Sequence, residues 1–186
     1  LVAQFYLTKL TGIKERFISK SNENSGTLAI KVCKKLKKNQ INKLTHLISV
    51  TNTPFIKFPG ISNYIAAFLK IEKVHCINLN AGCTGFVDAL ILSYEIIKNN
   101  KDSKVLIITS DTYSKFINDQ NKNIRPLFSD GASSTIIEYD KKGFKLIKKV
   151  TKNIIDTQDD LIFKKNEISI NGPGVVSFTI KYVIPE

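Results

Sequence analysis

Three short apolar runs rich in branched side chains, residues 44–51, 73–80 and 105–109, are separated by stretches with helical spacing. This rhythm restricts the fold more than any other feature of the chain. The first, residues 44–51, is β-branched and apolar enough to read as a buried strand, and the other two read as strands. Residues 63–69 follow the first run with helical periodicity, and Phe86 to Ile97 follow the second. Strand, helix, strand, helix in this order predicts an α/β architecture with parallel strands. Open sheets of that kind carry their sites at the carboxyl ends of the strands.

The second junction holds a cysteine. Asn78-Leu79-Asn80-Ala81-Gly82-Cys83-Thr84-Gly85-Phe86 leaves an apolar run, passes two glycines and enters the helix. Cys83 is therefore expected at or just before the first turn, where unpaired amide N–H groups carry partial positive charge. That field favours the thiolate, the nucleophilic form of the side chain. Gly82 and Gly85 let backbone and substrate approach the sulfur. The competing reading is a small buried hydrophobe beside a turn.

The rest of the chain is read from periodicity and turn chemistry. A helix capped by Ser25 or Thr27 is predicted to run to about Lys38, with Leu28, Ala29, Val32, Cys33 and Leu36 on one face. Cys33 on that stripe reads as packing, and Cys76, alternating with Val74, as core-facing. Asn52 to Gly60 is a loop stiffened by Pro54 and Pro59 that carries Phe55 and Phe58. Residues 125–134 form a turn rich in small residues that leads into a strand over 135–139. Residues 144–150 alternate and are expected to pair beside it. Residues 153–166 are polar and left unassigned, 167–170 form a short strand, and Asn171-Gly172 starts a final amphipathic helix.

Composition removes several functional classes. With 42% hydrophobic and 24% charged residues, the chain is an ordinary globular protein. No apolar run approaches the roughly 20 residues of a membrane span. Three cysteines without a basic leader point to a reduced, cytoplasmic setting. Their spacings and the only histidines, His46 and His75, fit no zinc pattern, so no metal is expected. The net charge of +12 would suit a polyanion or an acidic protein. The lysines are spread along the chain without interleaved aromatics, which argues for a solvated surface and against nucleic acid. The chain begins at Leu1 and contains no methionine, and it is expected to be a piece of a longer protein.

Two architectures place a cysteine at a strand-to-helix turn. A hydrolase elbow uses G-x-[SC]-x-G, but Ala81 replaces the first glycine and no histidine follows Cys83 in this chain. The second is the thiolase-fold condensing enzymes. Thr11-Gly12-Ile13-Lys14-Glu15-Arg16 with Ile18, the Pro54–Gly60 loop ending in Phe58-Pro59, Ala81-Gly82-Cys83-Thr84-Gly85-Phe86, Ser110-Asp111, Phe128-Ser129-Asp130-Gly131-Ala132 and the helix after Asn171-Gly172 occur in order. In these motifs the chain resembles the N-terminal half of a β-ketoacyl-acyl carrier protein synthase III.

The resemblance implies a thiolase-like fold: a mixed, mostly parallel sheet with helices on both faces. Residues 1–186 would form a single N-terminal domain, with the family's first strand and C-terminal half-domain, the latter supplying His and Asn, outside it. It implies that Cys83 takes an acyl group from a thioester and that the acyl group then condenses with malonyl-acyl carrier protein in fatty-acid synthesis. It places Phe58 in the acyl pocket of the other subunit of a homodimer, Phe128 in the same subunit's pocket, and Asn52 and Tyr113 near it. Tyr6 falls where the family stacks coenzyme A on tryptophan, and Leu10 replaces the usual basic residue before Thr11-Gly12. No cofactor is implied; acyl-coenzyme A or acyl carrier protein is the thioester substrate. The alternatives are acyl transfer to a hydroxyl or amine in another pathway, and a truncated, non-catalytic dimerising half.

Overall fold

In the computed structural model, residues 8–9, 11–155 and 157–185 are described. They fall into two compact units. One joins Phe17–Thr112 to Asp130–Leu146; the other gathers the described residues of Leu1–Arg16, Tyr113–Ser129 and Ile147–Glu186.

The larger unit is the α/β body expected from the sequence. It runs α1 (Ser25–Cys33), a short α2 (Lys38–Ile41), β1 (His46–Val50), α3 (Ile61–Leu69), β2 (His75–Leu79), a single 3-10 turn (Gly82–Thr84), α4 (Gly85–Asn99), β3 (Lys104–Asp111) and β4 (Gly131–Glu138). The sheet order is β2-β1-β3-β4. β1 is parallel to both β2 and β3, and β4 is antiparallel to β3. The sheet is thus mixed and mostly parallel, as the resemblance implied.

Period-two alternation in the strands separates two cores. Leu47, Leu106 and Ile108 meet Ala29 and Cys33 of α1 and Ile61, Ile65 and Ala66 of α3. Ile48, Val50, Val105 and Ile107 meet Ala89 and Ile97 of α4. Helices therefore cover both faces. Each Val, Leu or Ile among them, removed from water, contributes about 1.5–3 kcal/mol.

Several boundaries differ from the sequence reading. The N-cap of α1 is Asn24, one residue before the expected cap. Its side chain accepts from the Thr27 N–H at 3.0 Å while Thr27 Oγ1 accepts from the Asn24 N–H at 2.8 Å, a reciprocal capping box. α1 ends at Cys33 rather than near Lys38. β4 begins inside the predicted turn, at Gly131, because the small residues there pair with β3: Ala132 lies opposite Ser110, and Ser133 opposite Thr109 with their hydroxyls 3.0 Å apart. Residues 144–150 form no strand. Phe144 and Ile147 are fully exposed, so their alternation buries neither face.

The second unit contains the hairpin β5 (Leu161–Lys164) and β6 (Glu167–Ile170), then α5 (Gly172–Phe178) continuing into a π turn over Thr179–Val183. β5 lies in the stretch left unassigned. Its turn needs Lys165 and Asn166 at positive φ, which only the lone Asn hinted at. Ile117, Ile124 and Ile168 form the small core of this unit.

The two histidines sit opposite each other where β1 and β2 begin, with ring centroids 5.4 Å apart. Burial, reinforced by the neighbouring His75, pulls His46 below the ordinary imidazole range. The folded state then holds fewer protons than the unfolded chain as pH falls through the unfolded value near 6.5. The stability this provides is present above that value and is lost as pH falls toward the folded one. Urea unfolding at pH 7.5 and 5.5 should show the parent chain weakened at the lower pH and His46→Gln weakened less.

Candidate active site

β2 ends at Leu79, and the chain turns through Gly82–Thr84 before entering α4. Gly82 has φ +55, a left-handed conformation that glycine adopts without strain. Gly85 serves a different need: a Cβ there would lie 2.5 Å from Val50 Cγ1. Its absence lets the start of α4 rest on the end of β1. Thr84 closes the turn, donating its N–H to the Ala81 carbonyl at 3.2 Å and its hydroxyl to Ala81 O at 2.9 Å and Asp88 Oδ2 at 2.6 Å. Cys83 is exposed on this turn, just ahead of α4, as the sequence placed it.

The other cysteines differ. Cys33 is buried in the α1 core, and burial pushes its thiol up to about 11. Cys76 packs against the same core and is also pushed up by burial, opposed by a hydrogen bond to Ser62. Both follow the packing roles read from periodicity.

Asn52 lies against the cysteine turn. Its Oδ1 accepts the Gly82 N–H at 3.1 Å. Asn52 itself is held from the end of β3, where Asp111 Oδ1 accepts from the Asn52 N–H at 2.8 Å. The same oxygen takes the Thr53 N–H at 2.9 Å, the Thr53 hydroxyl at 2.8 Å and the Thr51 hydroxyl at 3.0 Å. Burial raises the Asp111 carboxyl above its usual range, and these donors oppose the shift.

Phe58 stands 88% exposed on the loop between β1 and α3. Asn78 holds the base of that loop: its Oδ1 accepts from Ser49 Oγ at 2.7 Å and the Ser62 N–H at 3.0 Å, and its Nδ2 donates to Pro59 O at 3.4 Å. Asn78 carried no functional signal in the sequence, because a polar residue on a strand is read only through its partners. Asp130, in the motif preceding β4, is buried and accepts from Ser19 N–H at 2.8 Å and Ser19 Oγ at 2.6 Å.

Tyr113 and Phe128 belong to the smaller unit, with rings 5.2 Å apart beside its Ile117 and Ile124 core. Arg16 in the same unit donates to the carbonyls of Arg125 and Phe128. The structure thus joins Asn52 to the Cys83 turn and Tyr113 to Phe128, as two separate pairs. Tyr6 lies outside the described residues. Among the described residues, no group of three or more His, Cys, Asp or Glu could hold a metal, and no helix is long and apolar enough to cross a membrane.

A sequence model for the family described as 3-oxoacyl-[acyl-carrier-protein (ACP)] synthase III matches residues 77–153. A β-ketoacyl-[acyl-carrier-protein] synthase III 2 of Staphylococcus epidermidis is 33% identical over 145 residues, covering 76% of this chain and 44% of that protein. A β-ketoacyl-[acyl-carrier-protein] synthase III of Clostridium novyi is 37% identical over 135 residues, covering 71% and 41%. The chain therefore spans less than half the length of these relatives. A crystal structure of a 3-oxoacyl-(acyl-carrier-protein) synthase III superposes with a TM-score of 0.87 at 25% identity, over 95% of this chain and 61% of the other. A synthase III structure from Thermus thermophilus gives 0.87 at 24%, over 95% and 59%. The thiolase-like fold expected from the sequence is the fold of the chain.

Close packing at Gly85 gives a direct check on the turn. Gly85→Ala should lower unfolding stability by about 1–3 kcal/mol. Val50→Ala in the same chain should recover part of that loss, which denaturant titration of the two single variants and the double variant measures.

Proposed function

We propose a function for this chain from its place in the 3-oxoacyl-[acyl-carrier-protein] synthase III family, whose sequence and fold it carries over the residues matched. Cys83 is the acyl acceptor of a condensing acyltransferase of fatty-acid synthesis. The observation that carries this reading is the exposed cysteine on a turn between a central-sheet strand and a helix N-terminus, within the matched residues.

In the first step the Cys83 thiolate attacks the carbonyl carbon of an acyl thioester. Negative charge develops on the carbonyl oxygen, and the Cys83 backbone N–H is proposed as one of its donors. The intermediate collapses with cleavage of the C–S bond to the thiol of the donor thioester. The acyl group stays on Cys83, and the proton lost by Cys83 ends on the departing thiol. In the second step malonyl-acyl carrier protein loses carbon dioxide, the resulting carbanion attacks the acyl-Cys83 carbonyl, and the thiolate is released.

The remaining residues take roles around that chemistry. Phe58, exposed at its loop tip, is proposed to enter the acyl pocket of the other subunit of a homodimer. Tyr113 and Phe128, already packed on each other, are proposed as pocket wall, and Tyr6 as a contact for coenzyme A. Asn52 borders the turn that carries the nucleophile. The thioester of coenzyme A or carrier protein is substrate, with no resident cofactor. A basic surface suits an acidic carrier protein. A nucleophilic free thiol suits the reducing cytoplasm.

Incubation of the full-length protein with acyl-coenzyme A should add one acyl mass, mapped to Cys83, and Cys83→Ala should remove it. Addition of malonyl-acyl carrier protein should release carbon dioxide. An adduct that survives Cys83→Ala overturns the assignment. Acylation without carbon dioxide release assigns transfer to a hydroxyl or amine acceptor instead.

A further inference from the structure

The ends of three parallel strands are tied together by one run of polar contacts. Asp111 closes β3, Thr51-Asn52-Thr53 follows β1, and Gly82-Cys83-Thr84 follows β2. Four donors from the Thr51–Thr53 segment converge on a single oxygen, Asp111 Oδ1, so the carboxylate sets the path of the loop. The Thr53 hydroxyl also accepts the Thr112 N–H at 2.9 Å, which returns the segment to the chain leaving β3. Held at its backbone by Asp111, Asn52 directs its side-chain oxygen to the Gly82 N–H.

Gly82 is a position that this contact has reason to fix. It has a positive φ, and a Cβ there would meet nothing within 4 Å, so hydrogen bonds hold its conformation: its carbonyl accepts the Gly85 N–H and its N–H goes to Asn52. Asn52 holds the Ala81–Gly82 peptide; the next peptide, Gly82–Cys83, carries the Cys83 N–H, and its carbonyl accepts the Gly85 N–H. On the far side Thr84 is bound to Ala81 and Asp88, which closes the turn on itself without anchoring it to the sheet. Asn52 ties the Gly82 end of the turn to the loop after β1, as the packing of Gly85 on Val50 ties the other end to the sheet.

We infer that Asp111 and Asn52 are positioning residues for Cys83: Asp111 holds Asn52, and Asn52 fixes the Ala81–Gly82 peptide, from which the chain enters the Gly82–Cys83 peptide that aims the thiol and its backbone N–H at the thioester. The inference rests on the reading of Cys83 as acyl acceptor. Neither residue touches the reacting atoms, and both act through the turn. Small displacements of a reacting group lower rates steeply, on the order of a hundredfold per ångström, so a loosened turn lowers acylation before it lowers stability.

The experiment uses the full-length protein with Asn52→Leu, which keeps the size and removes the acceptor, Asn52→Asp, which keeps the acceptor, and Asp111→Asn, which keeps the size and removes the carboxylate charge. Three quantities are measured: acylation of Cys83 by acetyl-coenzyme A, amide hydrogen exchange in the peptide containing Gly82, and the rate of Cys83 alkylation by iodoacetamide at alkaline pH. Asn52→Leu and Asp111→Asn should each slow acylation by about tenfold or more. Each should also speed exchange at the turn, although Asp111 does not touch it, while alkylation stays within twofold of the parent. Asn52→Asp should return most of the acylation rate.

Unchanged exchange in both variants overturns the hydrogen-bond chain. Faster exchange with unchanged acylation overturns the positioning role, and so does a loss of acylation matched by an equal loss of alkylation. A parent protein that is not acylated at Cys83 overturns the acyl-acceptor reading and the positioning role with it, and exchange then reports on the hydrogen-bond chain alone.

Discussion

β1 and β3 lie side by side at the centre of the sheet with apolar side chains on both faces, and their burial is the constraint on which the larger unit depends. Leu47, Leu106 and Ile108 require α1 and α3 on one side; Ile48, Val50, Val105 and Ile107 require α4 on the other. A strand so covered cannot slip by one residue without exchanging its two cores. The register of β1 against both neighbours is thereby fixed, and with it the level at which Val50, Leu79 and Thr109 end their paired runs.

Beyond that level the chemistry changes from apolar to polar. Thr51, Thr53, Ser110 and Thr112 are buried there, together with the raised carboxyl of Asp111. Buried polar groups of this kind persist because their partners are present. Among the described residues, no buried side-chain nitrogen or oxygen lacks one. The carboxylate gathers the loop after β1, the loop presents Asn52, and Asn52 meets the glycine before the exposed cysteine. Apolar packing thus sets where the strand ends lie, and hydrogen bonding sets what is held above them. Glycines enter twice for different reasons: Gly82 for a backbone conformation, Gly85 for contact with Val50.

The contrast among the cysteines follows from the same layering. Cys33 lies deep in a core whose low polarity disfavours the thiolate, and Cys76 lies partway into it. Cys83 lies past the end of its strand, where the chain has left the apolar layer. Residue type is identical; position along the strand–helix crossing separates a packing thiol from one open to a reagent.

Local pattern along the chain specifies the alternation of strands and helices, the placement of Cys83 at a junction, and the packing roles of Cys33 and Cys76. Each depends on local periodicity or turn chemistry, which neighbours in the chain specify. It was less informative at β4, where small residues that read as a turn become a strand once Ser110 and Thr109 stand opposite. At residues 144–150 it misled, because alternation without a covering layer buries nothing. Packing of distant segments is what brings Asn52 to Gly82, gathers residues 51–53 on Asp111 and sets Asn78 at the base of the Phe58 loop. The partners in those contacts are 30, 58 to 60 and 16 to 29 residues apart in sequence. A polar residue's pattern in sequence names its hydrogen-bonding capacity, and the partner that satisfies it is chosen by strands packed side by side.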